Sequence, residues 1–139
     1  MAFYHDDKGN LKPEWVTDEA ENAAQSFYEE TNKAIKSDKS ENTLKNSQLR
    51  KFYGEFKKLE SEILQNSGEE QERFLSVLPR IKMVAAKVTY AKARKVVPST
   101  FVKWLKEHTD QINSLTDFKA FLLHFEAVVG YCYGINPKD

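Results

Sequence analysis

The stretch "QLRKFYGEFKKLESEIL", residues 48–64, decides the fold. Its apolar positions Leu49, Phe52, Phe56, Leu59 and Ile63 recur in steps of three and four, the spacing that lines one face of an α-helix. Most residues between them are polar or charged, so this helix must lay its apolar stripe on other elements. Ser47 is the expected N-cap.

The same period extends in both directions. Upstream, Thr17 or Asp18 is expected to cap a helix to about Lys36, with Asp18, Glu19 and Glu21 suiting the dipole of its first turn. Its apolar side is Ala20, Ala23, Ala24, Phe27, Thr31, Ala34 and Ile35. "SDKSENTLKN" (37–46) reads as a polar, mobile connection. Downstream, a third helical region starts near Glu69, and Pro79 predicts a kink or a restart within it. Leu78, Ile81, Val84, Ala85, Val88 and Ala91 continue its stripe. Ser99 is the expected cap of a helix carrying Phe101, Trp104, Leu105 and Ile112, and Thr116 that of a last helix carrying Phe118, Phe121, Leu122, Phe125, Val128 and Val129. No alternating strand pattern competes. The expected fold class is all-α: a single compact bundle of five or six helices over residues 17–139, behind an irregular lead-in over 1–16. Phe52, Phe56, Trp104, Phe121 and Phe125 are expected in the core.

A chain of 139 residues, 40% hydrophobic and 12% aromatic, is one globular domain by size and composition. No apolar run nears the roughly 20 residues that span a bilayer. The N-terminus lacks the basic-then-apolar order of a secretory signal. The single cysteine, Cys132, has no internal partner. A cytoplasmic protein without membrane contact is expected.

The formal net charge is zero, yet the charge is unevenly spread. Residues 1–43 hold 5 Lys/Arg against 10 Asp/Glu, residues 44–106 hold 14 against 6, and residues 107–139 hold 2 against 5. Between Glu72 and Glu107 there is no acid, while Arg73, Arg80, Lys82, Lys87, Lys92, Arg94, Lys95, Lys103 and Lys106 are all basic. On a helical wheel Arg80, Lys87 and Arg94 form a column about 20 Å long, with Met83 and Tyr90 just outside that column. Lys92 and Lys95 gather at the helix end, where the dipole favours cations. A solvated face normally mixes signs, because Glu–Lys pairs support a helix. A column without acids therefore points to an external anion, and phosphate is the obvious one. By contrast, Glu55, Lys57, Lys58, Glu60 and Glu62 read as ordinary mixed surface. Tyr90 is either core edge or a stacking platform.

Motifs for chemistry are missing. His5, His108 and His124 share no metal-ligand spacing, and Cys132 lacks a CxxC partner. His108 and His124 continue apolar faces and read as core edge. There is no glycine-rich phosphate loop and no nucleophile elbow. Glu69, Glu70 and Glu72 read as first-turn acids. No cofactor, metal or catalytic residue is expected.

Three stretches carry a resemblance: "SQLRKFY" (47–53), "TYAKARK" (89–95) and the aromatic "FKAFLLHFEAVVGY" (118–131). In this order and spacing the chain, over about 17–133, resembles the small α-helical subunit of type III-A (Csm) CRISPR-Cas effector complexes. The resemblance implies a non-catalytic subunit. Its copies would stack as a filament among the other subunits, along the backbones of guide RNA and target RNA. It places Gln48, Arg50 and Lys51 from the opening stretch, and Tyr90 and Arg94 from the closing one, at the RNA. The wheel adds Arg80, Lys87, Lys92 and Lys95. The family often has glycine before the closing arginine; Ala93 stands there, so a different local backbone is expected. Two other readings fit the residues: a non-specific nucleic-acid binder of another kind, or a helical adaptor whose basic face meets an acidic protein.

Overall fold

The computed structural model describes residues 2–36, 44–65 and 68–137, and for 30–36 the backbone alone. The greater part of the expected connection 37–46, and the side chains of Thr31, Ala34 and Ile35, lie outside the described residues. A 3-10 turn, Pro13–Val16, leads into α1 (Asp18–Lys36), α2 (Asn46–Gln65), α3 (Glu70–Ala93), α4 (Ser99–Gln111) and α5 (Leu115–Ile135). Helices supply the architecture, and the described residues contain no strand beyond one isolated bridge between His5 and Leu11. The all-α bundle is as expected.

The helix α5 is the hub. It packs on α1, α2 and α3 and on the 3-10 turn. It buries Phe118, Ala120, Phe121, Leu122, His124, Phe125, Val128 and Cys132, a wider arc than one amphipathic stripe, as a helix surrounded by others must. Phe56 of α2, fully buried, meets Phe121 at 5.1 Å between ring centroids and 81° between planes. Trp104 of α4 meets Phe125 at 5.0 Å and 84°. These are edge-to-face contacts, favoured by the ring quadrupoles. α3 lies between α2 and α4 and touches α5 lightly.

Several local expectations are corrected. The restart expected at Pro79 does not occur: α3 runs through it from Glu70 to Ala93. Pro79 is exposed, and so is Leu75, whose carbonyl it leaves without a helical donor, while the buried residues on both sides of Pro79 hold the helix together. The N-cap of α5 is Ser114, whose hydroxyl accepts from the Asp117 N–H at 3.1 Å. Thr116 lies inside the helix. Ser99 and Ser47 are likewise helical, behind Pro98 and at Asn46 respectively. Asn46 is fully buried because it clamps three segments. Its Oδ1 accepts from the Tyr28 hydroxyl at 2.9 Å, and its Nδ2 donates to the Asn136 carbonyl at 2.7 Å.

Residues 2–16 fold back onto the bundle. Tyr4 is fully buried and hydrogen-bonds through its hydroxyl to His108 Nδ1 at 2.8 Å. His124 donates from Nδ1 to the Trp15 carbonyl and accepts from Trp104 Nε1 at 3.1 Å, which fixes a neutral tautomer. The two imidazoles stand 4.7 Å apart. Both are 1% exposed, deeper than the core edge where the sequence placed them. Burial, and then repulsion from His124, push His108 down to about 3, and burial lowers His124 as well.

The sign of the pH dependence follows. The unfolded chain takes up a proton near 6.5 that the fold refuses until about 3. Stability is therefore complete above pH 6.5 and falls as the pH drops, by about 1.4 kcal/mol per unit for His108. A melting midpoint that declines from pH 6.5 to 5, and declines less in His108→Gln, is the expected result. A flat midpoint would show that the pair is hydrated.

Candidate nucleic-acid interface

α3 carries two apolar faces. Phe74, Val77, Ile81, Val84, Val88 and Ala91 are buried. On the opposite side Leu75, Pro79, Met83, Ala86 and Tyr90 are exposed, with Leu75 and Met83 at 53% and Tyr90 at 66%. The core-edge alternative for Tyr90 is thereby removed.

The basic column is not bare. Arg80 pairs with both oxygens of Glu62, at 3.0 and 3.1 Å. Lys87 pairs with Glu55 at 2.6 Å. These acids come from α2. Glu55 and Glu62 are spaced seven apart, as Arg80 and Lys87 are, and the antiparallel packing of the two helices brings the pairs into register. The expectation of an unneutralised column fails there, because it compared charges along one helix and not across to its neighbour. Both pairs are solvent-exposed, so each contributes little to stability.

Two other members of the acid-free segment are structural. Arg73 donates from Nε to the Ile63 carbonyl near the end of α2, and Lys82 donates to the Thr109 carbonyl near the end of α4. Each cation serves a helix end where donors are short and the dipole is negative. Burial lowers the Lys82 pKa. Lys92 is half-buried and lies about 140° around α3 from Lys87. It faces away from the column.

Lys103 and Lys106 are exposed on α4. Of the cations on α3 and at its end, Arg94 and Lys95 remain. Both are exposed, and no carboxylate among the described residues forms an ion pair with either. The Arg94 guanidinium sits over the Tyr90 ring, 5.9 Å from its centroid. Lys95 has φ 65°, the left-handed region. Its N–H bonds to the Lys92 carbonyl at 2.8 Å and that of Val96 to the Ala91 carbonyl at 3.2 Å, the paired bonds of a Schellman cap. Glycine is the usual residue in that place. A lysine there costs about 1–2 kcal/mol of backbone strain. Ala93 is the last helical residue.

From α2, Lys51 stands in a groove beside Met83, Lys87 and Tyr90. Gln48, half-buried, is one turn earlier on the same side of the helix. Arg50 points elsewhere and donates to the Tyr133 hydroxyl at 2.9 Å. The structure thus brings Lys51, Lys87, Tyr90 and Arg94 together, with Lys95 at the adjoining helix end. Arg80 lies further along the groove, and Arg50 and Lys92 are apart.

Lys58 is a residue the sequence reading missed. It lines the same groove with Glu62 and Arg80, whereas Lys57 pairs locally with Glu60 at 2.8 Å. The shared seven-residue spacing in α2 and α3 was the available signal. As for chemistry, Cys132 is buried with its thiol pushed up to about 12 by desolvation, and the two buried histidines are held neutral. Among the described residues no three His, Cys, Asp or Glu side chains gather as a metal site requires. No helix among them is long and apolar enough to cross a membrane.

The fold and surface define a class: a small all-helical protein with neutral buried histidines and an exposed basic helix end beside a lined groove. The sequence matches the family described as Csm2 Type III-A over residues 11–136, and the chain belongs to that family. It is a type III-A CRISPR small subunit. The match begins within the lead-in, which the resemblance had left outside. Comparison with curated proteins and with solved structures found no match.

Proposed function

We propose that this subunit holds guide RNA and target RNA by their phosphate backbones, without sequence preference, through Arg94, Lys95, Lys51 and Lys87. In this reading copies of the chain stack as a filament inside the effector complex, in the cytoplasm. The exposed Leu64, Leu75 and Leu123 then supply apolar surface for contacts between copies and with the other subunits. Cations that contact phosphate position a strand and carry no base information. The carrying observation is the pair Arg94–Lys95: two exposed cations with no carboxylate partner among the described residues, one of them kept in a backbone conformation that favours glycine. Strain of this kind persists where the side chain has a use.

Lys95→Gly tests that link. The variant should be more stable by about 1 kcal/mol, because the strain disappears. It should bind single-stranded RNA more weakly, because one phosphate contact is lost. Denaturant unfolding and RNA titration on the same preparation check both. Greater stability with undiminished RNA affinity would remove Lys95 from the site.

A further inference from the structure

Resting on the RNA reading, one feature of the site goes beyond backbone contact. The groove between α2 and α3 encloses about 460 Å³. Lys51 and Glu55 line it from one side and Met83, Ala86, Lys87 and Tyr90 from the other. Its floor is apolar, with Phe52 beneath it. A phosphate is poorly suited to the apolar floor of this space, where the Glu55 carboxylate stands in the wall. A flat uncharged heterocycle is well suited. Tyr90 lines it and is 66% exposed to solvent, and the Arg94 guanidinium over the ring steadies the platform by a cation–π contact. Of the other tyrosines, Tyr4 and Tyr28 are buried at 0% and 4%, and Tyr53, Tyr131 and Tyr133 are half-buried. The exposure of Tyr90 is thus a property of its position and not of the residue type in this chain.

We propose that the groove takes one unpaired nucleobase, stacked on Tyr90 against Met83 and Ala86, while the flanking phosphates lie on Lys51 and Arg94. Stacking accepts any base, because every base has a π-face. The groove therefore adds affinity without adding sequence preference. It selects instead for strand state: a base inside a continuous duplex is already stacked and cannot enter, whereas an unpaired or splayed base can. The subunit would grip RNA where pairing is interrupted or has not yet formed.

The test compares a single-stranded RNA with a fully paired RNA duplex of the same length, titrated into the full chain and into Tyr90→Ala, Tyr90→Phe and Arg94→Ala. Tyr90 is exposed, so its variants should melt with the wild type. The expected result is a ~5- to 150-fold loss of single-strand affinity in Tyr90→Ala. Tyr90→Phe should retain most of the affinity, and duplex affinity should be unchanged in both. A single-stranded RNA carrying 2-aminopurine should also show a stacking-dependent fluorescence change with the wild type and Tyr90→Phe, and none with Tyr90→Ala. If Tyr90→Ala weakens neither RNA while Arg94→Ala weakens both, the backbone reading stands and the base site is wrong. If Tyr90→Ala weakens duplex and single strand equally, stacking is likewise refuted. If the wild type binds neither RNA, the RNA reading itself falls, and the groove with it.

Discussion

Phe56→Ala should destabilise the protein by about 3–5 kcal/mol, a large share of what holds a small domain folded. Phe56 is fully buried. Its ring makes edge contacts with Phe118, Phe121 and Phe125 at 6.3, 5.1 and 6.1 Å, so one side chain ties α2 to three positions of the central helix. Truncation removes the transferred apolar surface and leaves a void, since neighbours so ringed by aromatics can relax only in part. Chemical denaturation should show a lowered midpoint with an unchanged slope. Leu123, half-exposed on the same central helix, provides the contrast: Leu123→Ala should cost well under what Phe56→Ala costs. Similar losses in the two variants would mean that the buried face of α2 has been misplaced.

That α2 stripe was plain in the sequence because its period is uninterrupted and its apolar residues are large. The same holds for α5 and for the inner face of α3. Other features lay outside what periodicity can reveal. Pro79 pointed to a break, but whether a proline breaks a helix depends on whether water can reach the carbonyl it frees, which is a tertiary fact. Tyr4 looked like part of a polar lead-in, and only the fold brings its hydroxyl to His108, 104 residues away. The caps expected at Ser47, Ser99 and Thr116 failed by one or two residues, because serine and threonine beside a helix start look alike until the donor they serve is known; Thr17 does stand directly before α1.

The candidate site was legible in part. Counting charges along α3 found the cations, and the resemblance found Arg94 and Tyr90. Neither could see Glu55 and Glu62 arriving from α2, since that requires the register of two packed helices. Consequently Arg80 moves from a bare cation to a paired one, Lys87 becomes a shared one, and Lys58 moves from ordinary mixed surface to the lining of the groove. The left-handed turn at Lys95 had no sequence signal at all, because glycine is what normally marks it.

Arg94→Ala together with Lys95→Ala should weaken single-stranded RNA binding about 25-fold near 0.1 M salt, roughly fivefold for each phosphate contact removed. All RNA sequences should be affected alike. Both side chains are exposed, so folding should change by less than about 0.5 kcal/mol for each truncation. Lys57→Ala with Lys119→Ala removes the same charge from elsewhere: Lys57 serves a local pair with Glu60, and Lys119 is exposed on α5. That control variant should bind nearly as the wild type does. Equal weakening in the two double variants would mean that only total charge matters. No weakening in either would favour an acidic protein as the partner of the basic face.

The salt dependence of wild-type binding to single-stranded RNA tests the central claim most directly. If three to five phosphates are neutralised per subunit, affinity should fall about 20- to 130-fold between 50 and 200 mM salt, a slope of roughly −2 to −3.5 in log affinity against log salt. The Arg94→Ala, Lys95→Ala variant should show a slope shallower by about 1.4, the share of two contacts. An affinity that stays flat across this range, or a slope that the double variant leaves unchanged, would contradict a phosphate backbone at the end of α3.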